Sequence, residues 1–175
     1  MAGRLRNEHI LVTGGGRGIG AAIVEKCISE GAEVSFIDLE EEEAKSLLKK
    51  LDQDKKLIFV KGNVCSVEDL KRLCDSAREK FGSITGLVNN AGRNSYADPV
   101  TMTEQQWEDV FNVDLKAAWL TAREALPEMI TNKRGSIVNI ASVHANMTYP
   151  GMFPYAAAKS GLGGLTRSMA LEVGV

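Results

Sequence analysis

Short runs of β-branched and aliphatic residues alternate along this chain with longer stretches in which apolar positions recur at helical spacing. His9-Ile-Leu-Val-Thr13 is apolar through its middle, the pattern of a strand buried on both faces, and helical periodicity follows over 21–30. The strand pattern returns over 33–37, 56–61, 86–90 and 135–141. Between these runs the spacing predicts helices over 40–51 and 66–81, a long helical region from Thr103 to about Asn132, and a final helix over 155–172. The long region is expected to bend before Asp114-Leu115.

Local chemistry marks several of these ends. Ser66, with Asp69 three residues on, suits an N-cap, and Gly82 suits a helix stop. Thr103 with Gln106 has capping-box spacing, and Glu41 is placed to pair with Lys45. Strands joined by helices of this length require right-handed crossovers, hence a parallel sheet covered on both faces. The expectation is a doubly wound α/β fold of about five strands, a single domain over residues 1–175. In such sheets ligands bind beyond the carboxyl ends of the strands.

Composition narrows the classes. The chain has 175 residues, 44% of them apolar, and a net charge of -2 with no Lys/Arg run longer than two. That excludes nucleic acid or an anionic membrane as main partner. No apolar run approaches bilayer length, and the N-terminus has no signal-peptide core, so a cytoplasmic protein is expected. On that basis the glycosylation-like Asn146-Met-Thr148 is accidental. Cys27, Cys65 and Cys74 lack metal-ligand spacing and read as reduced, mostly buried side chains, and no metal is expected.

The glycines concentrate where the first strand meets the first helix, in Thr13-Gly-Gly-Gly-Arg-Gly-Ile-Gly20. Gly14, Gly18 and Gly20, with Arg17 and Ile19 between them, would let the backbone approach a pyrophosphate seated on the helix N-terminus. Asp38 follows at the end of the second strand, where a carboxylate accepts hydrogen bonds from a ribose 2′-hydroxyl and repels a 2′-phosphate. Taken alone, Asp38 equally suits a cap for the next helix. Arg17 could face a 2′-phosphate, but the carboxylate outweighs it, so NAD is expected rather than NADP.

Tyr155 and Lys159 stand four apart at the start of the last helix, and therefore on one face. A free phenol, with a pKa of about 10, is a poor base at neutral pH; a nearby ammonium stabilises the phenolate. Ser142, thirteen residues before Tyr155 and ending the fifth strand, could hold the same substrate oxygen. Taken alone, the pair equally suits a buried aromatic beside a snorkelling lysine.

Together, Thr13-Gly-x-x-x-Gly-Ile-Gly20, Asn89-Asn-Ala-Gly92, Ser142 and Tyr155-Ala-Ala-Ala-Lys159 resemble the short-chain dehydrogenases/reductases in order and spacing, over essentially the whole chain. The resemblance implies a Rossmann-type fold that hosts hydride transfer between a nicotinamide and a secondary alcohol or ketone. It implies that Tyr155 transfers the proton and that Lys159 assists it and binds the nicotinamide ribose. It further implies that Asn90 lies beside the adenosine ribose, that Asn63 and Val64 contact the adenine, and that a complete chain forms dimers or tetramers.

Two departures stand out. The family has an Asn seven residues after an aromatic such as Trp107, where it holds a relay water and the lysine; here that position is Asp114. Asn112, two residues away, is expected to face elsewhere. Family members run to roughly 250 residues, whereas this chain reaches Val175, so the family's last strands and substrate lid are expected to be missing, exposing a sheet edge and an apolar helix face. The segment between Ser142 and Tyr155 would form a substrate wall. His144 and Asn146 suit a polyhydroxylated substrate; Met147, Tyr149, Met152 and Phe153 suit an apolar one, or simply pack the loop down. Gly151-Met-Phe-Pro-Tyr155 is faintly similar to bacterial sugar and polyol dehydrogenases of the family. The alternative is an inactive fragment or isoform that binds nucleotide weakly or acts through a partner subunit. A methyltransferase would leave Ser142, Tyr155 and Lys159 without purpose.

Overall fold

The computed structural model describes residues 3–51 and 55–174, so the Met1 start and the Val175 end lie outside the described residues. Two compact units are distinguished, one of residues 1–91 with 120–138 and one of 92–119 with 139–175.

The first unit carries the sheet. Its elements are β1 (His9–Thr13), α1 (Gly18–Ser29), β2 (Glu33–Asp38), α2 (Glu41–Leu51), β3 (Leu57–Lys61), α3 (Val67–Phe81) and β4 (Gly86–Asn89). Two later elements, α5 (Ala117–Thr131) and β5 (Ser136–Asn139), belong mostly to the same unit. The strand order is β3-β2-β1-β4-β5, and Thr13 pairs in parallel register with Ile37 on one side and Asn89 on the other. The chain thus winds outward from β1 to β3 and returns across to β4. That reversal makes the carboxyl ends of β1 and β4 the switch point of a Rossmann-type sheet.

Burial explains the strand pattern. All five residues of β1 are buried. Ile10, Val12, Val34 and Phe36 pack with Val24 of α1 and with Ala44 and Leu47 of α2 in one cluster. Leu11 and Ile37 alternate with these residues and are also fully buried, while α3 buries Leu70, Leu73, Cys74 and Ala77. Each buried Val, Leu, Ile or Phe side chain among these contributes about 1.5–3 kcal/mol. His9 and Thr13 are the polar residues of β1. The Nε2 of His9 lies 2.8 Å from Ser35 Oγ and its Nδ1 3.1 Å from the Gly82 carbonyl. β5 closes the order, with alternate residues exposed and Val138 48% accessible, as expected of an open edge.

The second unit is helical. α4 (Glu104–Phe111) starts with the expected capping box of Thr103 and Gln106. It runs into a π-helical turn over Asn112–Lys116 and then into α5. This widened turn occupies the place where a bend was expected. α6 (Tyr155–Val173) packs against the π turn closely enough that a Cβ on Gly161 would stand 2.9 Å from Leu115 Cδ2. Leu171, near its end, is 86% exposed. Among the described residues, no helix is long and apolar enough to cross a membrane.

Three expectations need correction. α1 begins at Gly18, three residues before Ala21, because the glycines form its first turn instead of preceding it. β5 ends at Asn139, short of Ala141, since an edge strand has a ladder on one side only. Only Cys74 is fully buried; Cys27 and Cys65 are half-buried. The surroundings of Cys74 push its thiol up to about 12 through desolvation.

Candidate active site

The glycine turn is built by close backbone approach. A Cβ on Gly20 would stand 1.8 Å from the Gly14 carbonyl oxygen, so this helix start admits no side chain there. Gly18 has φ +54° and open space on its Cβ side, with Arg17 and Ile19 exposed beside it. The turn is tied to β4: Asn90 Nδ2 donates to the Thr13 and Gly14 carbonyls at 3.1 and 2.9 Å. Thr13 Oγ1 in turn accepts from the backbone N–H groups of Asn90 and Ala91, both at 3.1 Å. Both amide donors of Asn90 are therefore spent holding the loop.

Asp38 bridges the glycine turn and the approach to α2. One carboxylate oxygen accepts from Gly16 N at 2.7 Å and the other from Glu40 N at 3.0 Å. Each oxygen keeps acceptor capacity for a diol. Arg17 caps α1 through its backbone position alone, with no side-chain hydrogen bond and no acid in the helix's first turn. An anion is stabilised at such a start, so these residues fit a dinucleotide phosphate. Val64 is buried; Asn63 is exposed, with its Oδ1 accepting from Cys65 N.

The second unit gathers the residues expected to take part in proton transfer. Lys159 is buried at 4% exposure although it is a lysine, because its Nζ donates to the Ile140 carbonyl at 3.1 Å and lies 3.3 Å from Asp114 Oδ1. The same Nζ stands 5.7 Å from the centroid of the Tyr155 ring. Asp114 also accepts from Arg93 N at 3.2 Å. Burial raises the pKa of its carboxyl, against the opposing pull of Lys159. Ser142 Oγ accepts from His144 N at 3.2 Å, capping a short turn over Val143–Ala145 and leaving its hydroxyl proton to donate elsewhere. His144 sets its ring edgewise to Tyr149 and Tyr155, with centroids 4.8 and 6.1 Å apart.

The loop before Tyr155 divides. Met152 is buried and Phe153 packs on Trp107 at 5.7 Å, so these two hold the loop down. Met147 and Tyr149 stay exposed.

The short chain dehydrogenase family model matches residues 8–175. The chain belongs to the short-chain dehydrogenases. It is 36% identical over 172 residues to the probable galactose dehydrogenase GalD of Rhizobium meliloti, covering 97% of this chain and 67% of the relative. Among solved structures it is similar to an apo SCOR enzyme from Clostridium thermocellum, with TM-score 0.89 and 35% identity over 96% of this chain and 68% of that one. It is also similar to a gluconate 5-dehydrogenase from Burkholderia cenocepacia, solved with NADP and tartrate, with TM-score 0.88 and 28% identity over 98% of this chain and 68% of that one. The chain thus spans about two thirds of the length of these relatives.

Within this short-chain dehydrogenase, Asp114, Ser142, Tyr155 and Lys159 fall in one unit; Gly14, Arg17, Gly18, Ile19, Gly20, Asp38, Asn63, Val64 and Asn90 fall in the other. The sequence reading missed Thr13, Ile140 and Arg93. Ile140 and Arg93 act through backbone groups, which carry no residue signature. Thr13 acts through a hydroxyl whose partners lie 77 and 78 residues away.

Proposed function

We propose that this chain carries the reaction centre of an oxidoreductase interconverting a secondary alcohol and its ketone with a nicotinamide dinucleotide, NAD in preference to NADP. The observation that carries this reading is Lys159, a buried ammonium fixed by Ile140 and Asp114 on the same helix face as Tyr155. A bound nicotinamide supplies the hydride acceptor or donor. The protein's own residues bind, orient and move the proton. The start of α1 holds phosphate, and Asp38 accepts from ribose hydroxyls. Ser142 donates its hydroxyl proton to the substrate oxygen, and Tyr155 Oη exchanges a proton with that oxygen. The Lys159 ammonium favours the phenolate when it forms.

A sugar or polyol substrate is supported by the galactose and gluconate names of the relatives and by His144 and Asn146 near Ser142. The NADP bound in the gluconate dehydrogenase belongs to that protein; here Asp38 argues for NAD. The test is alcohol-driven NAD reduction alongside NADH fluorescence. Tyr155→Phe should lower turnover by at least about 100-fold, the lower range for acid–base catalysis, with NADH affinity nearly unchanged. Retained turnover would sink the mechanism. Asp38→Ala should narrow the NAD over NADP preference, and a parent that prefers NADP would refute the cofactor reading. NADH binding without turnover in the parent would favour a nucleotide-binding chain that does not itself catalyse.

A further inference from the structure

Asp114 places a carboxylate, fully enclosed, on the one ammonium that serves Tyr155. An amide at this position would hydrogen-bond Lys159 and leave its charge intact. A carboxylate at 3.3 Å offsets that charge, because both side chains are almost closed to solvent and their attraction is weakly screened. The ion pair is also held from its far sides. Arg93 N donates to Asp114, and the Ile140 carbonyl accepts from Lys159, so neither partner can turn away without losing a second bond. The π turn over Asn112–Lys116 sets the direction of Asp114.

We propose that Asp114 is a positioning residue that offsets the Lys159 charge beside Tyr155 and so biases the site toward proton donation and carbonyl reduction. This rests on the functional reading above. In that direction the carbonyl carbon gains a hydride with its electron pair from a reduced nicotinamide dinucleotide. The carbonyl π bond breaks, and the oxygen takes the Tyr155 Oη proton. With the ammonium charge offset by Asp114, the phenol keeps that proton to higher pH than with the ammonium alone.

The other charged groups around Tyr155 do not replace this effect. On the Val143–Ala145 turn, His144 meets Tyr155 ring to ring. Arg93, before α4, reaches Asp114 through its backbone N–H. Lys116 on the π turn is exposed, as are Glu104 and Glu108 on α4, so water screens them.

The experiment is a spectrophotometric titration of tyrosinate near 295 nm in the 175-residue chain. Tyr96 and Tyr149, both exposed, are first changed to Phe so that Tyr155 alone reports. Asp114→Asn should bring the Tyr155 transition to lower pH by about one unit or more, the scale expected when one nearby charge is removed. Asp114→Ser, neutral and smaller, should move it the same way, which keeps the test usable if one variant fails to fold. In a Lys159→Met background the Asp114→Asn shift should disappear. An unmoved transition in a folded Asp114→Asn or Asp114→Ser chain overturns the proposal, since it means Asp114 is already protonated. A shift that survives Lys159→Met overturns it too. The mechanism fails separately: if Tyr155→Phe keeps turnover, Tyr155 is not the proton carrier, whatever the titration shows.

Discussion

Burying an imidazole beside neutral partners favours its uncharged form, and His9 is held in this way between Ser35 and the Gly82 carbonyl, edge-on to Phe81. Desolvation lowers its pKa below the ordinary 6.5. The unfolded chain therefore takes up the proton first as pH falls. Stability from this site is complete above about pH 6.5 and is lost as pH drops from there through the lower folded-state value. Urea unfolding between about pH 7.5 and 5 should show parent stability falling more steeply than that of His9→Gln, by up to about 1.4 kcal/mol per pH unit. Parallel curves would refute the neutral, buried assignment. Asp114 titrates with the opposite sign, because its raised folded-state pKa makes stability fall as pH rises, so the comparison must be parent against variant. The sequence displayed His9 only as the first residue of a strand. Its partners come from β2 and from the end of α3, which no local pattern could pair with it. The approach of Asp38 to the glycine turn and of Lys159 to Tyr155 was legible because those spacings are local.

Caps are where local chemistry and observed elements agree best. Ser66 Oγ accepts from Asp69 N at 3.2 Å, and Thr103 with Gln106 forms a reciprocal box. Gly82 ends α3 with φ +76°. Ser66→Ala and Thr103→Ala should each cost about 1 kcal/mol in urea unfolding. Equal stability for either variant would show that tertiary packing alone sets that helix start. Boundaries that depend on other elements were less legible. Gly18–Gly20 read as a turn because glycine weakens helices, yet tertiary contact with the Gly14 carbonyl draws them into α1. The π turn over Asn112–Lys116 gave only the hint of a bend. Its register depends on packing against α6, where Gly161 admits Leu115, and the sequence of Asn112–Lys116 alone does not reveal that contact.

For the whole molecule, the residues proposed to bind nucleotide and those proposed to move the proton fall in different compact units: the glycine turn with Asp38 in one, and Ser142, Tyr155, Lys159 and Asp114 in the other. Residues that bind nucleotide and residues that move the proton should then fail independently. Gly20→Ala forces a methyl into the Gly14 carbonyl, a backbone atom that cannot give way as a flexible side chain would. It should cost about 1–3 kcal/mol of stability, the usual price of overpacking. It should also weaken NADH binding at least about tenfold, because the displaced loop is the one proposed to meet phosphate. The Lys159 to Asp114 and Ile140 contacts lie wholly within the other unit and should be kept. Tyr155→Phe should do the reverse, losing proton transfer while NADH fluorescence titrates as in the parent. The decisive measurement is the tyrosinate titration of Gly20→Ala in the Tyr96→Phe, Tyr149→Phe background. A transition unchanged from the parent, alongside weakened NADH binding, shows that the charge environment of Tyr155 is built without the nucleotide turn. A displaced transition in a folded Gly20→Ala chain would show instead that the two units are coupled, and that the proton-transfer set is not complete within residues 92–119 and 139–175.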